Sequence, residues 1–323
     1  MASDARPVVF ATNALHPDGA ALLAPHARVV VGADTSDDTL RAGVREADAV
    51  IVRAKLPAGV FAGAARLKGV VRHGVGLDFI PVAEATALGI PVANLPGSNT
   101  QTVAEYVFAA LFALRRPLAR MDARLRADGW NPARGLADGT QEIAATTLGI
   151  VGLGAIGQRV AAIAAAGFGM RVLGASRSGK APEGVTPVSL DELFAQADAV
   201  VIACPLTPET TGLVSAGLIA RMKPDAVLVN PARGPIVDTA ALIAALKAGR
   251  IAGAATDVYD VHPVPPDSPL FALPNLIMTP HGAGITATSM RAMSIGAAQE
   301  VLRMLNGEAP KNLVNPAYRQ PAA

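Results

Sequence analysis

Short runs of β-branched and apolar residues recur along the first hundred positions, at Val8-Val9-Phe10, Val29-Val30-Val31, Val50-Ile51-Val52 and Val70-Val71. Between them lie polar stretches such as Ser36 to Ala47 that read as helices or turns. Apolar runs alternating with helical segments predict a parallel sheet with helical crossovers. The pattern resumes after residue 145, with strand candidates at Leu148 to Val151, Arg171 to Leu173, Val200 to Ile202, Val227 to Val229 and Leu276 to Met278. Two α/β units are therefore expected. The tetrad Ala47-Asp48-Ala49-Val50 returns as Ala197-Asp198-Ala199-Val200, the same helix-to-strand corner in each half, though four residues are weak grounds for duplication. Between the units, Thr100 to Asp128 has apolar residues at 103, 106, 107, 110, 111 and 114, a helical spacing. Every residue from Tyr106 to Leu114 is apolar, which predicts a helix covered on nearly all sides, within the chain or by a second subunit. A last helix is predicted over Thr288 to Asn306, striped by Met290, Met293, Ala297, Val301 and Leu305. It follows the second unit with no sheet of its own, so it is expected to return to the first domain. The domains then run 1–99 with 288–323, and 100–287, with 100–128 as an interdomain and dimerisation helix.

Composition narrows the class. A chain of 323 residues is long enough for about two domains, each burying its own core. Lys and Arg number 28 against 26 Asp and Glu, a formal charge of +2, so nothing demands a polyanionic partner. The Arg-rich stretch from Arg115 to Arg126 is interrupted by Asp122 and reads as a solvated helix face or subunit contact. Aromatics at 4% argue against base stacking on single-stranded nucleic acid. Cys204 is the sole cysteine, which excludes an internal disulfide and a thiolate zinc cluster and points to a reducing compartment. No apolar stretch reaches the length of a membrane span, and none near the N-terminus reads as a signal segment. A soluble, cytoplasmic protein is expected.

Candidate chemistry begins at Gly152-Leu153-Gly154-Ala155-Ile156-Gly157, which follows an apolar strand and opens a helix-like run. In that setting GxGxxG binds a dinucleotide: the first glycine makes the tight turn, the second lets backbone approach the pyrophosphate, and the third lets helix pack on strand. A Gly-rich turn without ligand is the bland alternative. About twenty residues on, the strand tip reads Ser176-Arg177-Ser178, with no acid to hold a ribose 2′-hydroxyl. Two hydroxyls and a guanidinium suit the 2′-phosphate of NADP, which is placed ahead of NAD. Three further loops follow strand-like runs: Asn230-Pro231-Ala232-Arg233-Gly234, then Asp257 to His262-Pro263, then Thr279-Pro280-His281 through Gly284. A lone His or Arg at such a sheet edge is usually structural; three such loops beside a nucleotide fingerprint favour catalysis.

Together with Arg72-His73-Gly74-Val75-Gly76-Leu77-Asp78, Asn99, Val103-Ala104-Glu105 and Cys204-Pro205 through Gly212, these motifs make the chain resemble the D-isomer-specific 2-hydroxyacid dehydrogenases over essentially its whole length. The resemblance implies two doubly wound α/β domains, a Rossmann cofactor domain inserted in a discontinuous flavodoxin-like substrate domain, with the active site in the cleft and usually a homodimer. It implies that Arg233 holds the substrate's carboxylate and carbonyl oxygen and that His281 is the acid–base group. Val75 and Gly76 would offer amides to the carboxylate. Asp257 would contact the nicotinamide end, and Gly152, Gly154, Ala155, Ile156, Gly157, Pro205, Pro231, Ala232 and Gly284 would line the cofactor. One position departs from the family: where a glutamate precedes the proline and pairs with the histidine, this chain has His262. Without that carboxylate His281 is expected to hold its proton less firmly, and His262, or Asp260 as a substitute, becomes its candidate neighbour. A metal held by His262 and His281 lacks a visible third ligand and is not expected. Arg53 and Arg72 are candidates for an anionic substrate tail, a solvated or salt-bridged arginine being equally compatible. Trp130 is a candidate for the cleft or for a core or interface anchor. The expected reaction is hydride transfer between NADP(H) and a small 2-oxo acid such as glyoxylate or hydroxypyruvate. Phosphoglycerate oxidation ranks lower, because little chain follows the last helix, and formate oxidation lower again. The alternative from another class is an NAD(P)-sensing binding protein or co-regulator on the same fold, its catalysis lost with the glutamate.

Overall fold

In the computed structural model, which describes residues 5–319, the chain up to Asn99 and from Ile285 onward forms one unit and Thr100–Gly284 forms the other. In the first unit β1 (Val8–Ala11), α1 (Pro17–Leu23), β2 (Arg28–Val31), α2 (Asp37–Arg45), β3 (Ala49–Val52), β4 (Val70–Arg72), α3 (Val82–Ala87) and β5 (Val92–Ala93) follow in order. The strands make a parallel sheet in the order β2-β1-β3-β4-β5. That is the flavodoxin-like order, with its topological switch between β1 and β3. Alternation of side chains along each strand builds two cores. Val9, Ala11, Ile51 and Val71 face one cluster, and Phe10, Val50, Val52 and Val70 face the other.

The second unit opens with α4 (Thr100–Arg115), α5 (Leu118–Asp128) and α6 (Trp130–Arg134). The single helix expected over 100–128 is thus corrected to two: Pro117 has no N–H to donate and disfavours helical backbone at Arg116, so α4 ends and α5 restarts. Between Tyr106 and Leu114 only Ala109 and Ala113 are exposed. α4 is covered within its own unit, where Phe108 and Phe112 pack on Phe168 at 5.1 and 5.4 Å between ring centroids. The remaining elements are β6 (Thr147–Val151), α7 (Ala155–Phe168), β7 (Arg171–Ala175), β8 (Val185–Pro187), α8 (Leu190–Gln196), β9 (Ala199–Ile202), α9 (Ala216–Arg221), β10 (Val227–Asn230), α10 (Thr239–Lys247), β11 (Gly253–Thr256) and β12 (Leu276–Met278). The seven strands are parallel in the order β12-β11-β10-β9-β6-β7-β8, a Rossmann arrangement whose switch lies between β6 and β9. α4 and α7 cover one face, and α8, α9 and α10 the other.

The chain re-enters the first unit at Ile285. Thr286 caps the last helix, α11 (Ala287–Leu305), accepting from the Ser289 amide in a capping box. Met293, Ala297, Val301 and Met304 of α11 pack with Leu23 of α1 over Val9, Ile51 and Val71. α5 buries no residue within the chain, and Arg124 pairs with Asp128 and Arg126 with Asp122 along its exposed face. Among the described residues no helix is long and apolar enough to cross a membrane.

Candidate active site

At the switch of the second unit the chain turns sharply out of β6. A Cβ on Gly152 would lie 2.6 Å from the Cys204 amide nitrogen that follows β9, so only glycine lets the two loops meet there. The following helix, α7, begins after Gly154 with no side chain capping it, and a Cβ built on Gly154 would meet nothing within 4 Å. The helix therefore presents its unsatisfied first-turn amides, from Ala155, Ile156 and Gly157, to open space, a cradle that fits a pyrophosphate. At the tip of β7, Ser176 donates to the Lys180 carbonyl at 2.8 Å and lies 3.4 Å from the Ser178 hydroxyl. Arg177 and Ser178 are exposed. Opposite, in the loop opened by Pro205, Glu209 is held below the usual carboxylate range, chiefly by the Thr207 hydroxyl, with Arg177 adding to the effect.

Three loops at the carboxyl ends of β10, β11 and β12 carry the remaining candidates of this unit. Asn230 organises the first: its amide group donates to the Arg233 carbonyl at 2.9 Å, and its side-chain oxygen accepts from the Ala232 amide at 3.1 Å. Gly234 packs backbone to backbone on the second loop, where a Cβ would lie 2.2 Å from the Tyr259 carbonyl carbon. Arg233 is half-buried, with one guanidinium nitrogen on the Ala232 carbonyl at 2.6 Å. The third loop is built on Asp257. Its buried carboxylate accepts from the Thr279 hydroxyl at 2.6 Å and from the Gly282 and Ala283 amides at 2.7 and 2.8 Å. The Asp257 carbonyl takes the His281 amide at 2.9 Å. These bonds hold His281 at φ 55°, a left-handed conformation that costs a residue with a Cβ on the order of 1 kcal/mol. Asp257, foreseen beside the nicotinamide, thus has its carboxylate engaged in shaping the loop of His281. Tyr106 extends the network: its hydroxyl lies 2.8 Å from that of Thr279, and because Thr279 gives its proton to Asp257, Tyr106 is the donor. Burial pushes the Tyr106 phenol up to about 12.

The His262 ring lies 5.4 Å from that of His281, tilted by 43°. Its Nε2 accepts from the Tyr259 amide at 3.3 Å, so that nitrogen carries no proton and the ring is the Nδ1–H tautomer. Tyr259 is fixed in turn, its hydroxyl donating to the Thr279 carbonyl at 2.9 Å. Asp260 is exposed and has no hydrogen bond to either ring among the described residues. Among those residues there is no group of three or more His, Cys, Asp or Glu that could hold a metal ion.

In the first unit the turn after β4 has its carbonyls tied back one by one. That of His73 accepts from Arg72, that of Gly74 from the Leu95 amide, that of Val75 from Asn94, and that of Gly76 from Arg72. No acceptor meets the Val75 or Gly76 amide among the described residues. Two consecutive amides freed in this way form a concavity for an anion. Arg72 is the scaffold of the turn, with its guanidinium on the Val52, His73 and Gly76 carbonyls and 4.3 Å over the Phe79 ring, and so is not the reader of a substrate tail. Arg53 lies at the switch between β1 and β3. Its amide is bonded to Thr12 and one nitrogen of its guanidinium to the Ala14 carbonyl at 2.7 Å. Burial lowers its pKa, and among the described residues no carboxylate pairs with it. Trp130 is 72% exposed, which removes the core-anchor reading.

Tyr106, Tyr259 and Asn94 escaped sequence reading. Tyr106 counts as apolar in a helical stripe, and nothing in the sequence aligns it with Thr279, 173 positions away.

The profile described as D-isomer specific 2-hydroxyacid dehydrogenase, NAD binding domain, matches residues 108–283. The D-3-phosphoglycerate dehydrogenase of Mycobacterium bovis is 41% identical over 317 residues, which cover 96% of this chain and 59% of that protein. This chain therefore spans little more than half the length of that relative. The glyoxylate reductase of Aeropyrum pernix is 38% identical over 327 residues, 96% of each chain. Among solved structures, an NADPH-dependent glyoxylate/hydroxypyruvate reductase from Sinorhizobium meliloti in complex with NADP and malonate superimposes with a TM-score of 0.83 at 27% identity, over 99% of this chain and all of that one.

Proposed function

The chain belongs to the D-isomer specific 2-hydroxyacid dehydrogenases, and from that premise we propose that it transfers hydride between NADP(H) and a small 2-oxo acid, with glyoxylate or hydroxypyruvate reduced to the D-2-hydroxy acid. The observation that carries this reading is the interlocking of the loops of Arg233, His262 and His281 through Gly234 and Asp257. Arg233 holds the carboxylate and carbonyl oxygen of the substrate, a task suited to a permanent planar cation. His281 gives its proton to that oxygen during reduction and takes it back in the reverse direction. His262 steadies the neighbouring imidazole, and the Val75 and Gly76 amides donate to the carboxylate. When bound along Gly152 to Gly157, the nicotinamide cofactor supplies or receives the hydride. Ser176, Arg177 and Ser178 take its 2′-phosphate, which supports NADP over NAD. The enzyme acts as a homodimer in the cytoplasm; exposed Leu118 and Trp130 on α5 and α6 support a subunit contact there.

The test follows NADPH and NADH oxidation separately against glyoxylate, hydroxypyruvate, pyruvate and phenylpyruvate from pH 5 to 9. The reading expects turnover that prefers NADPH, and loss of turnover in His281→Ala with NADPH still bound in a fluorescence titration. NADPH binding without oxidation of any substrate by the unaltered protein would overturn the reductase and favour the nucleotide sensor. A second reading, oxidation of D-3-phosphoglycerate, is favoured by Arg53, a half-buried cation that no carboxylate pairs with among the described residues and that suits a second anionic group. Arg53→Ala should then lose the phosphorylated substrate and keep glyoxylate.

A further inference from the structure

His73 begins the turn that frees the Val75 and Gly76 amides, and its imidazole is buried, 3% exposed, and reaches α11 where that helix packs on α1. There its Nε2 lies 2.8 Å from the hydroxyl of Ser294, a fully buried residue of α11. The same hydroxyl accepts the His16 amide, at the start of α1, at 2.9 Å. The hydroxyl can accept a second hydrogen bond as well as give its own proton, so the direction of its bond with Nε2 is set by the tautomer of the ring. Burial, followed by the charges of Arg53 and Arg72, lowers the His73 pKa to about 4 and favours the neutral ring. The serine itself is fixed: a Cβ on Gly19 of α1 would lie 2.6 Å from its backbone, so the two helices clamp it.

We propose that Ser294 and His73 are positioning residues for the substrate carboxylate, a hydrogen-bonded strut from the α1–α11 seam that sets the aim of the Val75 and Gly76 amides. The strut starts at a backbone amide, passes through a hydroxyl that cannot move, and ends on the ring whose own amide is bonded to the Val52 carbonyl at 3.0 Å. It thereby joins both helices to the first residue of the turn, where Arg72 holds only the backbone carbonyl. Removing the hydroxyl leaves the buried ring nitrogen and the half-buried His16 amide without this partner, and the turn relaxes to recover it. The proposal rests on those amides binding the carboxylate.

The test is Ser294→Ala, which shortens the side chain and keeps the helices packed. KM for glyoxylate should rise about tenfold, the equivalent of one lost hydrogen bond, while kcat at saturation stays within about twofold and the NADPH affinity is unchanged, the signature of lost ground-state binding. His73→Leu should reproduce this. His73→Gln, whose side-chain oxygen can accept from Ser294, should restore most of the loss, and the Ser294→Ala, His73→Leu pair should be no worse than either single change. A parallel measurement titrates oxamate, an unreactive 2-oxo acid isostere, into NADPH-saturated protein labelled with 15N at valine and glycine. The Val75 and Gly76 resonances should move in the unaltered chain and need about tenfold more oxamate in Ser294→Ala. Movement in the unaltered chain with an unchanged dissociation constant in Ser294→Ala would overturn the strut alone. No movement of either amide in the unaltered chain would overturn the carboxylate assignment, and the strut with it.

Discussion

His73 also carries a stability effect. In the unfolded chain an imidazole takes up its proton near pH 6.5, whereas the folded ring waits until about 4. Between those values the unfolded state binds the extra proton, so stability is full above pH 6.5, falls as pH drops towards 4, and is flat below, a loss of up to about 3 kcal/mol. Urea titrations at steps across that window should show a steeper fall in the unaltered protein than in His73→Leu. The Asp34 carboxyl, lowered to about 2 by hydrogen bonds from Ser36 and Thr39, acts in a separate window between its unfolded value of 3.8 and 2. Residues proposed for their own chemistry, Arg233 and His281, stood out in the sequence. Residues whose role is a bond to something distant did not, because Ser294 is 221 positions from His73 and no local pattern joins them. His262 lies between these cases. Its departure from the family was legible, but the Tyr259 amide that sets its tautomer was not. His262→Glu should extend reduction to higher pH, because a carboxylate beside His281 stabilises its protonated form; an unchanged profile would separate the two rings functionally.

Elements were read best where periodicity was strong. β1, β3, β6, β9 and β10 are largely apolar strands, buried apart from Val8 at the start of β1, and were expected where they lie. β11 was missed. Its sequence Gly253-Ala254-Ala255-Thr256 has little strand preference, and it is a strand because β10 and β12 pair with it on both sides; a Cβ at Gly253 would lie 2.9 Å from the Asn275 carbonyl oxygen and 3.1 Å from Leu114 of α4. Small residues there are a packing demand that overrides propensity. The turn between β6 and α7 follows the same logic with a functional consequence. A Cβ at Gly157 would lie 2.0 Å from the Gly152 carbonyl oxygen, so Gly157→Ala must push the helix from the strand. Overpacking of that kind costs about 1–3 kcal/mol. The displaced amides should weaken NADPH binding by roughly tenfold or more, since each 1.4 kcal/mol is a factor of ten; fluorescence titration with the urea midpoint measured alongside checks both.

At the scale of the whole molecule, each unit carries a pair of apolar clusters of its own, one on either face of its sheet. A ligand that binds only the folded second unit stabilises that unit by mass action, by about 2.7 kcal/mol at a hundred times its dissociation constant. Hydrogen exchange with saturating NADPH should therefore slow the core amides of β6, β7, β9 and β10 by roughly a hundredfold and leave those of β1 and β3 near their original rates. Equal slowing in both sheets would mean that the units open together. The chain is 41% identical to a D-3-phosphoglycerate dehydrogenase and 38% identical to a glyoxylate reductase, so overall similarity does not choose between the two substrates, and residues such as Arg53 bear on that choice.

By itself the amino-acid sequence determined that two parallel α/β sheets form, that the last helix returns to the first, and that a dinucleotide turn shares a unit with Arg233, His262 and His281. These follow from hydrophobic period, from glycine spacing and from reactive side chains in short motifs, all of which act over a few residues. Tertiary structure decided which groups those residues meet. It gave Asp257 to the loop of His281, Arg72 to the Val52 carbonyl, Ser294 to His73 and Tyr106 to Thr279. Each of these is a bond between segments brought together only when the sheets have twisted and the helices have packed, and a buried polar group takes whatever partner that packing puts within reach.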